Sequence, residues 1–156
     1  MGKAQRAVKS GFLLRAFWFV RGLNIIRSSE HRLTDLATLR WFLRPYRRRR
    51  SVALYLDRDG GEAGSLLAHF TGDRAWLAYF DCPGGIDFYA CVPSSRHLQP
   101  ARIAFRLSNG QVDQIHPAWT VTREEGLTAL GYFLVHGKRD PGLLWLEQPA
   151  SLEKPP

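Results

Sequence analysis

The residues that could perform chemistry are scattered along the chain. The five histidines fall in different predicted elements, and no two of them stand four residues apart on one helix, as a helical metal pair requires. Cys82 and Cys91 are nine positions apart without a CxxC pair, so the spacing does not favour a zinc site. We expect two free thiols packed as small hydrophobic groups, and their pairing stays open if their strands meet.

Motifs for nucleophilic or phosphate chemistry are also missing. No serine lies in a G-x-S-x-G nucleophile elbow, and the pairs Gly60-Gly61 and Gly84-Gly85 belong to neither a dinucleotide-binding nor a phosphate-binding loop. Glu124 and Glu125 are adjacent on a predicted helix, so their carboxyl groups point in different directions and cannot form a facing acid–base pair. We therefore expect a protein that is not an enzyme and that uses no cofactor and no metal ion.

Carboxylates are the remaining group of interest, because several aspartates lie at predicted strand ends or turns. One interpretation is turn formation and solubility, since aspartate commonly stabilises turns. The other is an acidic patch for a basic protein partner, where complementary charge speeds association and sets specificity. Under the second interpretation, the candidate contact residues are Asp57, Asp59, Asp81, Asp87 and Tyr89.

Two helices are predicted to position these residues. The first runs from a capping Thr34 to about Arg44, with leucines at helical spacing. The second begins at a capping box, in which Thr122 and Glu125 satisfy each other's free amides, and it ends at Gly137.

Alternating apolar residues predict strands joined by short turns. Asn109-Gly110 and Gly72-Asp73 have the residues of tight hairpin turns, because glycine accepts a positive φ without strain. His69 alternates with core positions, so we expect it at the surface or hydrogen-bonded. The predicted strands cover residues 51–57, 66–70, 75–81, 86–92, 102–107, 111–116 and 143–147. This order indicates an α+β fold, with a mainly antiparallel sheet of about six to seven strands, two helices packed on it and a basic N-terminal extension.

Charge divides the chain of 156 residues, whose formal net charge is +8. Residues 1–50 carry 13 lysines and arginines against two acids, and residues 51–156 carry nine against twelve. We therefore predict three parts: a basic extension over residues 1–30 that is helical or disordered, one domain over residues 31–149, and a frayed tail over residues 150–156.

The basic extension has three interpretations. Arg15 and Arg21 interrupt its apolar stretch, which excludes a membrane-spanning helix, and no cleavage site of a signal peptide follows. It is either a poorly ordered extension or sequence translated upstream of the true start, an anchor on an anionic membrane surface, or a nucleic-acid contact. The run Arg47–Arg50 is interpreted as a solvated turn.

A family pattern covers about three quarters of the chain. It comprises the helix-then-strand opening, the hairpin with Gly72-Asp73-Arg74, the Pro83-Gly84-Gly85 turn, the second helix and a closing Trp145-x-Glu147. In this order the segment from about Thr34 to Gln148 resembles immunity protein family one of bacterial polymorphic toxin systems. Its motif residues here are Gly72, Asp73, Arg74, Trp145 and Glu147.

The resemblance implies a cytoplasmic antitoxin that acts by binding. Such a protein neutralises a cognate toxin, commonly a nucleic-acid deaminase, by covering its active site or substrate groove. The expected assembly is a monomer in a 1:1 complex with a basic toxin. The alternative is a protein that binds nucleic acid or an anionic membrane surface through residues 1–50.

Overall fold

Alternating apolar residues build one large antiparallel sheet, against which both helices pack. The computed structural model describes residues 12–20, 25–33, 35–44, 51–58, 64–85, 87–92, 101–147 and residue 152. Within these residues the predicted α+β class, the mostly antiparallel sheet and the two helices are confirmed.

The described residues form ten strands, two helices and a 3₁₀ turn. The strands are β1 (Phe12–Val20), β2 (Ile25–Leu33), β3 (Ser51–Arg58), β4 (Ser65–Thr71), β5 (Arg74–Phe80), β6 (Asp87–Cys91), β7 (Ile103–Arg106), β8 (Val112–Ile115), β9 (Val121–Thr122) and β10 (Leu144–Glu147). The helices are α1 (Leu36–Leu43) and α2 (Arg123–His136), and a 3₁₀ turn covers Pro117–Trp119.

The main sheet has the order β10-β6-β5-β4-β3-β1-β2, and the short β9 pairs with β5. The strands β7 and β8 form a separate hairpin that lies over β3 and β4. The two predicted hairpin turns are present, and Gly72 and Gly110 adopt positive φ angles of 54° and 92° there.

Side-chain caps set the helix starts. The α2 capping box is formed as predicted: Glu125 N donates to Thr122 Oγ1 (3.2 Å) and Thr122 N donates to the Glu125 carboxylate (2.8 Å). Gly137 ends this helix in the left-handed conformation. Asp35 caps α1 by accepting from Thr38 N at 2.8 Å. Thr34, the predicted cap, lies outside the described residues.

The predicted extension is wrong where the structure describes it. Residues 12–20 and 25–33 form strands β1 and β2 of the main sheet, so they are neither helical nor disordered. The predicted boundary at residue 30 cuts through β2. The reason is that Phe12, Leu14 and Ala16 alternate toward the core, and the arginine between them, Arg15, points to the other face.

Part of the predicted frayed tail is also held in place. Leu152 packs against a buried cluster of aromatic residues, and its carbonyl accepts from His116 N at 2.9 Å. The arginine run 47–50 lies outside the described residues, so its interpretation stays a prediction.

Both faces of the sheet are covered. On one face, here called the helical face, α1 and α2 bury aliphatic and phenyl side chains such as Leu54, Leu77 and Phe133. On the opposite face, the hairpin face, β7, β8 and the 3₁₀ turn cover a smaller cluster. That cluster consists of Trp76, Cys91, Phe105, Ile115 and Trp119.

Candidate binding site

Three of the four predicted contact carboxylates, Asp57, Asp81 and Asp87, lie at one end of the sheet. Strand register places Asp57 of β3 and Asp87 of β6 in a single row, through Ser65 and Phe80 of the two strands between them. Residues directly opposite each other in antiparallel strands share a face, so both aspartates lie on the hairpin face, about 14 Å apart across three strand spacings. Asp81 follows β5 at this same end and is exposed.

Asp57 is half-buried and paired with an arginine. Its carboxylate accepts a hydrogen bond from Arg15 at 2.6 Å, and its side chain is 13% exposed against 43% for Arg15. The arginine also lies over the Tyr55 ring, with its guanidinium carbon 5.8 Å from the ring centre. The carboxylate of Asp57 therefore has a partner within the sheet, whereas Asp81 is exposed and Asp87 is half-buried.

The end of the sheet that carries Asp57, Asp81 and Asp87 is here called the acidic end. Tyr89 connects it to the buried cluster on the hairpin face. It is half-buried and stacks on Trp76, with ring centres 6.3 Å apart and planes 8° apart. Burial raises the pKa of its phenol, and the negative charge of Asp87 adds to the rise. Tyr89 therefore stays neutral and offers an aromatic surface next to a carboxylate. Asp59, the fifth candidate, lies outside the described residues.

The turn after β5 carries the most exposed part of the site. Residues 81–85 are all exposed, and Gly85 N donates to the carbonyl of Cys82 at 3.0 Å. A Cβ at position 85 would meet the exposed side-chain ends of Asp81 and Cys82, which would have to move aside. The hydrogen bond from Cys82 to Asp81 raises the pKa of this thiol, so the thiol form is favoured.

The two cysteines lie in different environments. Cys82 is exposed in the turn, Cys91 is buried on the hairpin face, and both are free. The expectation of free thiols is confirmed, and burial holds for Cys91 alone.

Three residues of the family motif, Gly72, Asp73 and Arg74, have structural roles at the turn between β4 and β5. The carbonyl of Asp73 accepts from Arg123 N at 2.6 Å, and the Arg123 side chain donates to the carbonyl of Gly72. Arg74 donates to the buried Thr120, to its hydroxyl and to its carbonyl, the latter at 3.0 Å. These bonds tie the hairpin turn to the start of α2.

The closing motif divides into one structural and one exposed residue. Trp145 donates from its indole N–H to the carbonyl of Asp140 at 2.9 Å, and its ring packs edge-on against Tyr79. Glu147 is exposed and pairs in register with Phe88, next to Asp87 along β6. Glu147 therefore lies at the same end of the sheet as Asp87, but it shares the helical face with Phe88, on the side opposite Asp87.

His69, which was expected at the surface or hydrogen-bonded, is buried next to the hydroxyl group of Tyr55, which in turn contacts the hydroxyl group of Ser108. It is 2% exposed, its Nε2 lies 3.5 Å from the Tyr55 hydroxyl, and that hydroxyl lies 2.9 Å from the Ser108 hydroxyl. Burial lowers the pKa of His69 from 6.5 to about 4, so the ring is neutral. His69 Nδ1 and Trp76 Nε1 are buried without a hydrogen-bond partner among the described residues.

The alternating pattern of the β7–β8 hairpin, which covers His69, is the feature that indicates this burial. Strand β7 exposes Ala104 and Arg106 and turns Phe105 inward. A two-stranded hairpin with one apolar face needs a surface to cover, and the β4 face that carries His69 provides it.

Neither a metal centre nor a spanning helix is found in the described ranges. No three histidine, cysteine, aspartate or glutamate side chains lie close enough there to hold a metal ion. No described helix combines the length and the apolar character needed to cross a membrane.

Two comparisons with known proteins gave no match. No family model matches the sequence, and no match is found among curated proteins. The resemblance to immunity protein family one therefore stays a prediction. The site itself consists of Asp57, Asp81 and Asp87 at one end of the sheet, with the Tyr89 ring on the same face as Asp87, an arrangement suited to contacting a cationic protein surface.

Proposed function

We propose that this protein is a cytoplasmic immunity protein that binds and neutralises a basic toxin, without catalysing a reaction itself. The observation that carries the proposal is the placement of Asp81 and Asp87 at one end of the sheet, with Tyr89 on the same face as Asp87. Aromatic residues supply large contact areas in protein interfaces, and a surrounding ring of charge selects the partner.

The chemistry of the expected toxin fits this surface. An enzyme that modifies nucleic acids, such as a deaminase, needs positive charge in its substrate groove to hold phosphates. An acidic protein surface competes for the same positive charge. Binding there would exclude the nucleic acid, and one copy of this chain per toxin is enough.

The test is co-expression with the toxin encoded by a neighbouring gene. Cells that produce both proteins should survive, and the purified proteins should form a complex with equal numbers of both chains. Killing that is unaffected by this protein would refute the proposal.

Charge reversal locates the contact. Changing Asp81→Lys and Asp87→Lys together should weaken binding at least tenfold, mainly through slower association, and should reduce its dependence on salt. Glu30→Lys is the matched control, because Glu30 is an exposed acid on β2, at the opposite edge of the sheet. Equal effects of both changes would show that the acidic end is not the contact.

A second candidate function is binding to nucleic acid or to an anionic membrane surface. Helix α1 favours it, because Arg40, Trp41 and Arg44 are exposed and the Trp41 side chain is 67% exposed. Exposed tryptophan beside arginine suits both stacking on bases and insertion at a membrane interface.

Substitution is the appropriate test of this second function. Deleting residues 1–30 would remove β1 and part of β2 from the sheet, so loss of binding would not be informative. The triple variant Arg40→Glu, Trp41→Ala and Arg44→Glu leaves the sheet intact. If the wild-type protein binds neither single-stranded RNA nor phosphatidylserine vesicles at low salt, this function is excluded.

A further inference from the structure

The two edges of the main sheet differ in how they are protected. At one edge, β2 exposes Arg27, Glu30, His31 and Arg32. Charged residues of this kind prevent edge strands from pairing with other chains. At the other edge, β10 runs Leu144-Trp145-Leu146-Glu147, and its first three residues carry no charge.

The apolar residues of β10 are open to solvent. Leu144 is 49% exposed and Leu146 is 37% exposed. Register pairs them with Cys91 and Tyr89 of β6, so both leucines lie on the hairpin face and extend its buried cluster toward the edge. Within the described residues, β10 pairs with β6 alone, and the other edge of β10 faces no strand.

We propose that β10 pairs antiparallel with β10 of a second copy of this chain. The residues on either side of Trp145 are both leucine, so the strand is symmetric about this position. A twofold axis perpendicular to the sheet at Trp145 places Leu144 opposite the partner subunit's Leu146, and Leu146 opposite the partner subunit's Leu144. Such self-complementary contacts are the rule in twofold dimers.

Strand geometry excludes the neighbouring registers. Residues opposite each other in an antiparallel pair share a face. A shift by one residue would pair a leucine of one copy with Trp145 of the other, and this would require the hairpin face of one sheet to continue into the helical face of the other. The register centred on Trp145 joins both leucine pairs on the hairpin face and sets no like charges against each other. A basic partner strand would lack this match, because these three positions of β10 offer no carboxylate.

The pairing joins two sheets into one continuous sheet. A four-residue strand forms a small interface, so the dimer is expected to exchange with monomers and to depend on concentration. This inference does not rest on the proposed function, and it differs from the monomer expected from the sequence. One toxin per chain remains compatible with it.

Mass measurement over a concentration series tests the proposal. The full chain should shift from one toward two chain masses in sedimentation equilibrium as its concentration rises. Leu146→Lys should keep it at one chain mass, because two lysines would then enter the apolar interface. Val135→Lys on α2 is the matched control, since Val135 is also an aliphatic residue that is 60% exposed. The Val135→Lys variant should dimerise as the wild type does.

A charge swap tests the register. In the double variant Leu144→Lys, Leu146→Glu, each lysine faces a glutamate of the other copy, so dimerisation should return and should weaken with salt. The variant Leu144→Lys, Leu146→Lys should stay monomeric, and circular dichroism checks that all variants fold. A wild type that is monomeric throughout, a dimer that tolerates Leu146→Lys, or a charge swap that fails to dimerise would each overturn the proposal.

Discussion

The helical face and the hairpin face belong to the same sheet, yet they are built from different chemistry. Buried residues of the helical face, such as Leu14, Leu54 and Phe133, are almost all aliphatic or phenyl. The hairpin face buries His69 Nδ1 and the indole N–H of Trp76 without hydrogen-bond partners among the described residues, and it carries the pair Arg15–Asp57. One face supplies stability through packing, and the other retains polar groups that packing alone does not require.

The difference indicates where function is concentrated. Buried polar atoms without partners cost stability, so they persist where another requirement keeps them. Asp87 and Tyr89, two of the predicted contact residues, also lie on the hairpin face, as do the exposed leucines of β10. Five measurements test this contrast between the two faces.

The largest effect is expected from Phe133→Ala on the helical face. Phe133 is fully buried and makes edge-on contacts with Phe12 and Tyr79. Its removal leaves a cavity between helix and sheet and should lower the free energy of unfolding by about 3–5 kcal/mol. Denaturant unfolding measures this value.

The matched control is Phe105→Ala, which removes an equally buried ring from the hairpin face. Because β7 and β8 form their own small sheet, we expect their amides to lose protection in hydrogen exchange while the amides of β3–β5 keep theirs. Uniform loss throughout the protein would show that the two faces unfold as one unit.

Acid should destabilise the protein through His69. Its pKa is about 4 in the folded protein against 6.5 for a free side chain, so the unfolded chain binds a proton more readily. The free energy of unfolding is not reduced by His69 protonation above pH 6.5. It declines as the pH falls toward 4, by about 3 kcal/mol in total from this residue. Unfolding of the wild type and of His69→Leu, measured from pH 7.5 to 4, isolates the contribution, since the variant should lack this slope.

At pH 8 the same His69→Leu change should be nearly neutral or stabilising, within about 1 kcal/mol. The substitution removes a buried nitrogen without a partner in the described residues, and Tyr55 keeps its contact with Ser108. Thermal unfolding at pH 8 provides the measurement. A loss above 2 kcal/mol would mean that the histidine contributes a stabilising contact, and the two faces would then be more alike than we infer.

The smallest effect is expected for the pair Arg15–Asp57. Arg15 is substantially exposed, so solvent screens the interaction and the coupling energy should be below about 1 kcal/mol. A double-mutant cycle with Arg15→Met and Asp57→Asn measures it. Coupling well above this value would assign the pair a structural role equal to that of the apolar core.

Several features were predictable because they depend on neighbouring residues alone. The capping box at Thr122, the glycine at the end of α2 and the turns at Gly72 and Gly110 follow from local backbone geometry, and all four are present. The α+β class followed from the order of these local signals.

The N-terminal strands were missed for a physical reason. Arg15 interrupts an apolar stretch, which indicates a basic arm when the chain is considered alone. Strand β3 supplies Asp57 for the arginine and a partner for the β1 backbone, and both come from more than 30 residues away. The alignment of Asp57 with Asp87 also depends on residues that are distant in the chain, since only the register of the two strands between them places both aspartates in one row.

The sequence by itself determined the turns, the helix ends and the α+β class, because these depend on contacts within a few residues. Tertiary structure alone decided that the basic segment is part of the sheet, that His69 is buried, and that the carboxylates share one end. Those outcomes depend on strand pairing and on which surface the β7–β8 hairpin covers, and both bring together residues that are distant in the chain.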